Sequence, residues 1–479
     1  MCCFTPCSNA RAVEPERVLA ERSFAWPYLD EGTCMTMKPI GDIASNRLSQ
    51  EQLSCQFSDV APLLDATAAA AASSRCHYCY DAPCINACPT KIDIPGFIRK
   101  IGNGNMKGAA MDILSANPLG GACARVCPTE ILCEGACVRN HQDDKPVQIG
   151  ALQRHATDWA MARGEPLFKR AADTGRHVAV VGAGPAGLAC AHRLALEGHR
   201  VTLFDARPKP GGLNEYGIAA YKVVEDFAQR EVEWLYSVGG IEVKNDVMLG
   251  RDVKLSDLRK QHDAVFLAIG LGGVRALELE GEALQGVYNA VDFIEQVRQA
   301  DALASVPVGR RVVVIGGGNT AIDAAVQSCK LGAETVTMVY RRGVETMGAT
   351  WAEQEFAQVN GVSIVTHARP VRLTDADGQV TGVEFENPQG ERFVIEADMV
   401  LKAIGQTLAP DGLESDMLTL DGSRIAVDSS GRTSLDNVWA GGDCAATGGL
   451  DLTVQAVQDG KVAAGSIHAF FAATAIKAD

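Results

Sequence analysis

Cysteine is the residue type in this sequence most concentrated where chemistry could use it. Of sixteen cysteines, eight fall between residues 76 and 137, in two runs. The first reads Cys76-x2-Cys79-x4-Cys84-x3-Cys88-Pro89 and the second Cys123-x3-Cys127-Pro128-x4-Cys133-x3-Cys137. Thiolates at such intervals wrap iron–sulfur cubanes, and a Cys-Pro that closes a run often ligates the neighbouring cluster rather than its own. Structural zinc is the competing chemistry, but zinc carries no electrons. Cys55, Cys190, Cys329 and Cys444 lie outside the runs and read as buried spectators.

Two glycine sets supply the second kind of chemistry. Gly182-Ala183-Gly184-Pro185-Ala186-Gly187 follows the apolar run His177–Val181 and precedes a helical pattern at 188–197. Such a turn lets backbone N–H groups and a helix N-terminus meet a pyrophosphate, where a Cβ would block the approach. The next apolar run, 201–204, ends on Asp205, an acid about 20 residues on that suits a ribose hydroxyl pair. Gly316-Gly317-Gly318-Asn319-Thr320-Ala321 repeats the grammar, but its following run, Thr335–Val339, ends in Tyr340-Arg341-Arg342. Two guanidinium groups there suit the 2′-phosphate of NADP, which an acid would repel; NADH and a solvated Arg pair are the alternatives. One acid-tagged and one Arg-tagged site in a single chain is the arrangement in which a nicotinamide delivers hydride to a flavin. No side-chain acid or base is required for that step, so no catalytic residue is assigned.

These residues need elements to hold them. The grammar after residue 169 is βαβ, and the second unit opens well inside the first. The expected fold is α/β: two Rossmann-like dinucleotide-binding domains, one inserted in the other, preceded by a mainly α-helical iron–sulfur domain. The expected boundaries are a poorly patterned extension at 1–45, the iron–sulfur domain at 46–169, an FAD domain at 170–304 and 397–479, and an NAD(P)H domain at 305–396. Leu53, Phe57, Val60 and Leu64 recur at helical spacing, and helices are expected near 66–72, 94–101 and 106–114. Cys2, Cys3, Cys7 and Cys34 are scattered in the extension, and Met35 and Met37 open a stretch resembling an ordinary start, so an upstream misreading of the start is one reading of what precedes them.

Composition sets limits. A chain of 479 residues has length for about three domains. With 44 basic and 59 acidic residues, net charge −15 and no basic block, nucleic acid is not an expected partner. No apolar run approaches the ~20 residues that cross a bilayer, and cysteine usage suits a reducing compartment, so the expectation is cytoplasmic with no membrane partner.

From about residue 73 onward the sequence closely resembles the N-terminal electron-input half of dihydropyrimidine dehydrogenase and the stand-alone bacterial subunits similar to it. The most specific parts are Cys88-Pro89-Thr90-Lys91-Ile92-Asp93-Ile94, Asn117-Pro118-Leu119-Gly120 and Ile149-Gly150-Ala151-Leu152-Gln153. The resemblance implies two [4Fe–4S] clusters, one held by Cys76, Cys79, Cys84 and Cys137 and the other by Cys88, Cys127, Cys133 and Gln153. Counting residues alone leaves Cys123 as an alternative to Gln153. A neutral amide in place of a thiolate makes a cluster one unit less negative. The glutamate synthase small subunit shares the domain order; Asn117–Gly120 and Gln153, where that family tends to carry an acid, side with the pyrimidine enzyme.

The same resemblance places Asp205, Gly212, Leu213 and Lys222 along FAD; Thr453 and Val454 are further candidate cofactor-binding residues. Trp439-Ala440-Gly441-Gly442-Asp443 resembles the motif that sets an acid on the flavin's sugar-alcohol chain. Gly317, Gly318, Asn319, Thr320, Arg341, Arg342 and Ala403-Ile404-Gly405 would line NADP. Where the animal enzymes carry a further basic residue after the Arg pair, this sequence has Met347-Gly348. The family reduces uracil or thymine at an FMN in a (β/α)8 barrel of ~250 residues, for which this chain has no room. The implied role is therefore electron input from NAD(P)H to a separate FMN and iron–sulfur barrel subunit, in a heterotetramer of two copies of each. The alternatives are input to glutamate synthase or another NAD(P)H-linked acceptor and, from another class, a redox-responsive scaffold.

Overall fold

Continuous apolar runs next to glycine turns suit strands covered on both faces, and such strands form the frame. The computed structural model describes residues 41–409, 413 and 418–476; Cys2, Cys3, Cys7, Cys34, Met35 and Met37 lie outside them. His177–Val181 pairs in parallel with Arg200–Phe204 and Ala264–Leu267, and Ile241–Lys244 and Val438–Ala440 complete a five-stranded parallel sheet at its two edges. Alternation sorts its side chains: Val178 and Val180 enter one apolar core, Ala179 and Val181 another.

The first of those cores also holds Ile98, Ile113 and Leu152 from the helices ahead of the sheet, and Leu194 and Ile467 from helices packed on it. The cysteine region and the first sheet therefore share one core within one unit, whose described residues are 59–276, 350–352, 404–409, 413 and 418–476. Its helices start where side chains cap them: Asp65 accepts from Ala68 N–H, Asp93 from Gly96 N–H and Asn105 from Gly108 N–H, opening Ala66–Ser74, Ile94–Gly102 and Met106–Ala116. The helical spacing read from Leu53 to Leu64 is realised only in part. The helix Gln50–Gln56 stops before Phe57, and Val60 is exposed ahead of Pro62.

The other unit contains a second parallel sheet, in the order Val287–Asn289, Met399–Lys402, Arg311–Ile315, Thr335–Val339, Val362–Val365, and an antiparallel sheet of Arg369–Ala376, Gln379–Glu386 and Arg392–Glu396. Its described residues are 41–58, 277–349 and 353–403. This differs from the expected 305–396 boundary. Val287–Asn289 and Met399–Lys402 hydrogen-bond into this sheet, in register with each other and with Arg311–Ile315, so the flanking segments belong with it. Residues 46–58 likewise group here rather than with the cysteine helices. Among the described residues, no helix is long and apolar enough to cross a membrane.

Candidate cofactor and iron–sulfur sites

All strands of a parallel sheet end on the same edge, so the loops after His177–Val181, Arg200–Phe204 and Val438–Ala440 are neighbours. The first is the turn Gly182–Gly187, which runs into the helix Pro185–Leu196 with Pro185 in the first turn, where its missing N–H goes unneeded. After the second strand comes Asp205, a buried carboxylate that accepts from Ala183 N–H at 2.5 Å and Arg207 N–H at 2.8 Å. Burial raises its pKa; the two amide bonds and Arg207 oppose the rise. The third loop brings Gly442 against Ala186 and carries Asp443, whose carboxyl burial pushes up to about 6, with Asp451 adding repulsion and Arg424 opposing.

A fourth loop lies on the glycine turn. Gly211 N–H donates to Ala183 O at 2.8 Å, and Gly212 has φ +56 with its Cα so close to Gly184 that an added Cβ would stand 2.6 Å from Gly184 Cα. This is a cradle that side chains would fill, as an extended dinucleotide requires. Leu213 opens the short helix Leu213–Tyr216 and is 42% exposed. Thr453, at the head of the helix Thr453–Ile476, donates its hydroxyl to Asn214 Oδ1 at 3.3 Å, which ties that helix to the same loop. Val454 is buried, and Lys222 is partly buried with its backbone N–H on Ala219 O.

The second glycine turn, Gly316–Gly318, leaves Arg311–Ile315 and enters the helix Asn319–Lys330, so Asn319 and Thr320 form its first turn. A Cβ on Gly317 would stand 2.5 Å from the Tyr340 ring. The end of the next strand is thus packed directly on the turn, and the residue that follows the strand is Tyr340 rather than an acid. Arg341 and Arg342 follow and are exposed. Arg342 donates through Nε and Nη2 to the Tyr340 hydroxyl at 3.0 and 2.6 Å, and that hydroxyl donates to Thr346 O. Its guanidinium is thereby held near the turn. Ala403 N–H donates to Ile315 O at 2.8 Å, so 403–405 leaves its strand beside the turn; Gly405 O accepts from Arg275 N–H.

Cys76, Cys79, Cys84 and Cys137 line one small pocket, walled by Ile98, Val138 and Ile149. Burial pushes the Cys84 thiol up to about 11, and Cys76 and Cys137 add repulsion. A second group forms around Cys127, whose thiol is held well above its usual range first by its hydrogen bond with Cys123, then by burial and by Cys133 and Cys88. Crowded, buried thiolates are costly alone and favourable around a cationic core, so both donor sets fit iron–sulfur. Among the described residues, no group of three or more Cys, His, Asp or Glu is arranged to hold a single metal ion. A cubane asks something different, because each donor bonds a different iron. Gln153 is buried in the helix Ile149–Arg163, and its Nε2 donates to Gly120 O at 2.7 Å. That fixes the nitrogen end of the amide.

Several contributors carry no sequence signal. Glu231 is fully buried and accepts from Gly121 and Ala122 N–H at 2.8 and 3.1 Å, anchoring the helix Gly120–Val126 that carries Cys123; burial pushes it up to about 7. Asp459 accepts from Gly442 N–H, Thr447 and Gln455, bracing the Asp443 loop. Both look like ordinary helix residues in the sequence. The spectator reading of the outlying cysteines needs correction: Cys190 and Cys444 are buried, but Cys329 is partly exposed and Cys55 exposed, on a helix whose buried residue is Leu53.

Comparison with known proteins agrees with this geometry. Residues 176–460 match the family described as pyridine nucleotide-disulphide oxidoreductase, and residues 53–165 match the family described as dihydropyrimidine dehydrogenase domain II, 4Fe-4S cluster. The chain is 35% identical over 397 residues to the NAD-dependent dihydropyrimidine dehydrogenase subunit PreT of Salmonella typhimurium, covering 83% of this chain and 92% of that one. It is 34% identical over 435 residues to the glutamate synthase (NADPH) small chain of Escherichia coli, covering 83% and 90%. Among solved structures, Mycobacterium tuberculosis FprA in complex with NADPH shares the fold, with TM-score 0.54, 19% identity and coverage of 63% and 86%. The cofactors are FAD, a nicotinamide nucleotide and 4Fe–4S iron–sulfur. Paired Rossmann-like sheets, an iron–sulfur domain ahead of them and both family matches lead to one statement: the chain belongs to the pyridine nucleotide-disulphide oxidoreductase family, as an iron–sulfur flavoprotein oxidoreductase.

Proposed function

We propose that this chain is the electron-input subunit of a dihydropyrimidine dehydrogenase, preferring NADPH and acting in the cytoplasm with a separate FMN and iron–sulfur barrel subunit in a heterotetramer. The observation that carries this reading over a glutamate synthase role is a contact. Gln153 and the Asn117–Gly120 segment, the two stretches that separate the families in sequence, meet through the Gln153 Nε2 to Gly120 O bond. With its nitrogen so engaged, the amide has its oxygen left to serve as a neutral ligand beside Cys88, Cys127 and Cys133.

When bound, FAD would supply hydride acceptance and release of single electrons, and 4Fe–4S clusters would supply the onward relay. The chain's residues bind and orient. Gly182–Gly187 and Gly212 admit the FAD pyrophosphate, Asp205 holds its ribose, and Asp443 on Gly442 holds its sugar-alcohol chain. The turn at Gly317, Gly318, Asn319 and Thr320 holds the nicotinamide nucleotide's pyrophosphate, and Arg341 and Arg342 meet its 2′-phosphate. Cys76, Cys79, Cys84 and Cys137 hold one cluster; Cys88, Cys127, Cys133 and Gln153 hold the other.

The test is anaerobic mixing of the iron-loaded chain with the partner subunit, NADPH and uracil. Uracil-dependent NADPH oxidation only in the mixture supports the reading. Oxidation that depends on glutamine and 2-oxoglutarate with a glutamate synthase large subunit, and not on uracil, would replace it.

A further inference from the structure

Lys461 lies on the helix Thr453–Ile476, the same helix that reaches the FAD loop at Asn214, and its ammonium points into the cysteine domain. Nζ donates to Thr90 O at 3.3 Å and to Ala116 O. Ala116 ends the helix Met106–Ala116, so the plain account is a lysine neutralising a helix C-terminus. Two observations go beyond that account. Among the described residues Lys461 has no carboxylate partner, although it is partly buried. The buried Thr90, whose carbonyl it holds, contacts Cys88 Sγ through its hydroxyl at 3.3 Å. Burial lowers the Lys461 pKa to about 8 and Arg193 adds to that, while Cys88 is the group that opposes it.

We infer that Lys461, supported by Thr90, raises the reduction potential of the iron–sulfur centre at Cys88 by holding beside it a positive charge that has no carboxylate partner. The inference rests on Cys88 being a ligand, as proposed above. Each added electron makes the centre more negative, and a fixed cation in a medium less polar than water stabilises that form more than the oxidised one. A hydroxyl donated to the ligating sulfur acts in the same direction. Lys461 is a positioning residue in this scheme, because it touches neither nucleotide nor iron.

The experiment is protein-film voltammetry of the iron-loaded full chain, with EPR assigning each centre, for wild type, Lys461→Met, Lys461→Gln, Lys461→Arg and Thr90→Val. Lys461→Met and Lys461→Gln should move the Cys88 centre to more negative potential while the Cys76 centre moves less. Lys461→Arg should restore the wild-type value, and Thr90→Val should give a smaller negative shift. Lys461→Gln retains a donor for the two carbonyls, so it separates charge from packing if the Met variant loses iron. Unchanged potentials in Gln and Met variants with full iron content would overturn the inference, as would equal shifts at both centres. An iron content in Cys88→Ser equal to that of wild type would overturn the ligand reading itself, and that count is made independently of any potential.

Discussion

The proposed preference for NADPH turns on Arg342. Its guanidinium is exposed yet fixed by the Tyr340 hydroxyl, and the Tyr340 ring occupies the space a Gly317 side chain would need. Replacing Arg341 and Arg342 by neutral residues should raise KM for NADPH at least tenfold, the scale of one or two charge-assisted hydrogen bonds. The KM for NADH should change far less; steady-state dye reduction with each nucleotide reads the difference, and equal changes would remove the 2′-phosphate role. His192 makes a different case. It is buried against Phe168 and Trp234, and desolvation depresses its pKa to about 4. The unfolded chain takes up this proton below about 6.5 while the folded chain stays neutral to about 4. Its contribution is therefore complete above about pH 6.5 and declines as pH falls toward 4, by at most about 3 kcal/mol. The urea midpoint of His192→Phe should show a flatter slope than wild type across that window.

At the scale of elements, the helix Thr453–Ile476 has the most to hold together. It reaches the loop at Asn214 through Thr453, crosses Pro185–Leu196 at Gly460 and meets the cysteine domain through Lys461. A Cβ on Gly460 would stand 2.1 Å from Ala186 O, backbone that cannot rotate away. Gly460→Ala should cost about 1–3 kcal/mol and weaken FAD retention; a variant with wild-type melting temperature and flavin content would contradict the crossing. The strands beside the glycine turns were legible in the sequence because their burial on both faces writes itself as unbroken apolar runs. The cysteine groups were legible as spacing. The domain boundary at 305–396 was not, because Val287–Asn289 and Met399–Lys402 are short and recruit into the second sheet only through pairing with partners distant in sequence. Glu231, Asp459 and Lys461 were equally silent, since a polar residue aimed inward from an amphipathic helix leaves the same trace as one aimed at solvent.

On the scale of the whole molecule, the cysteine helices share a core with the sheet that carries Asp205 and Asp443, so one folded unit contains both the proposed FAD cradle and the two thiol groups. That joint construction is what a relay from hydride to single electrons asks of a protein: the carriers must sit at fixed separations, and a common apolar core sets them without a flexible linker. We propose that this unit binds one FAD and two four-iron centres. Metal, labile sulfide and flavin analysis of the anaerobically purified full chain is the test. About eight iron and eight sulfide per FAD are expected, with Cys76→Ser and Cys88→Ser each removing about half. Stoichiometric zinc, or an iron content near four that only one of the two substitutions abolishes, would contradict it.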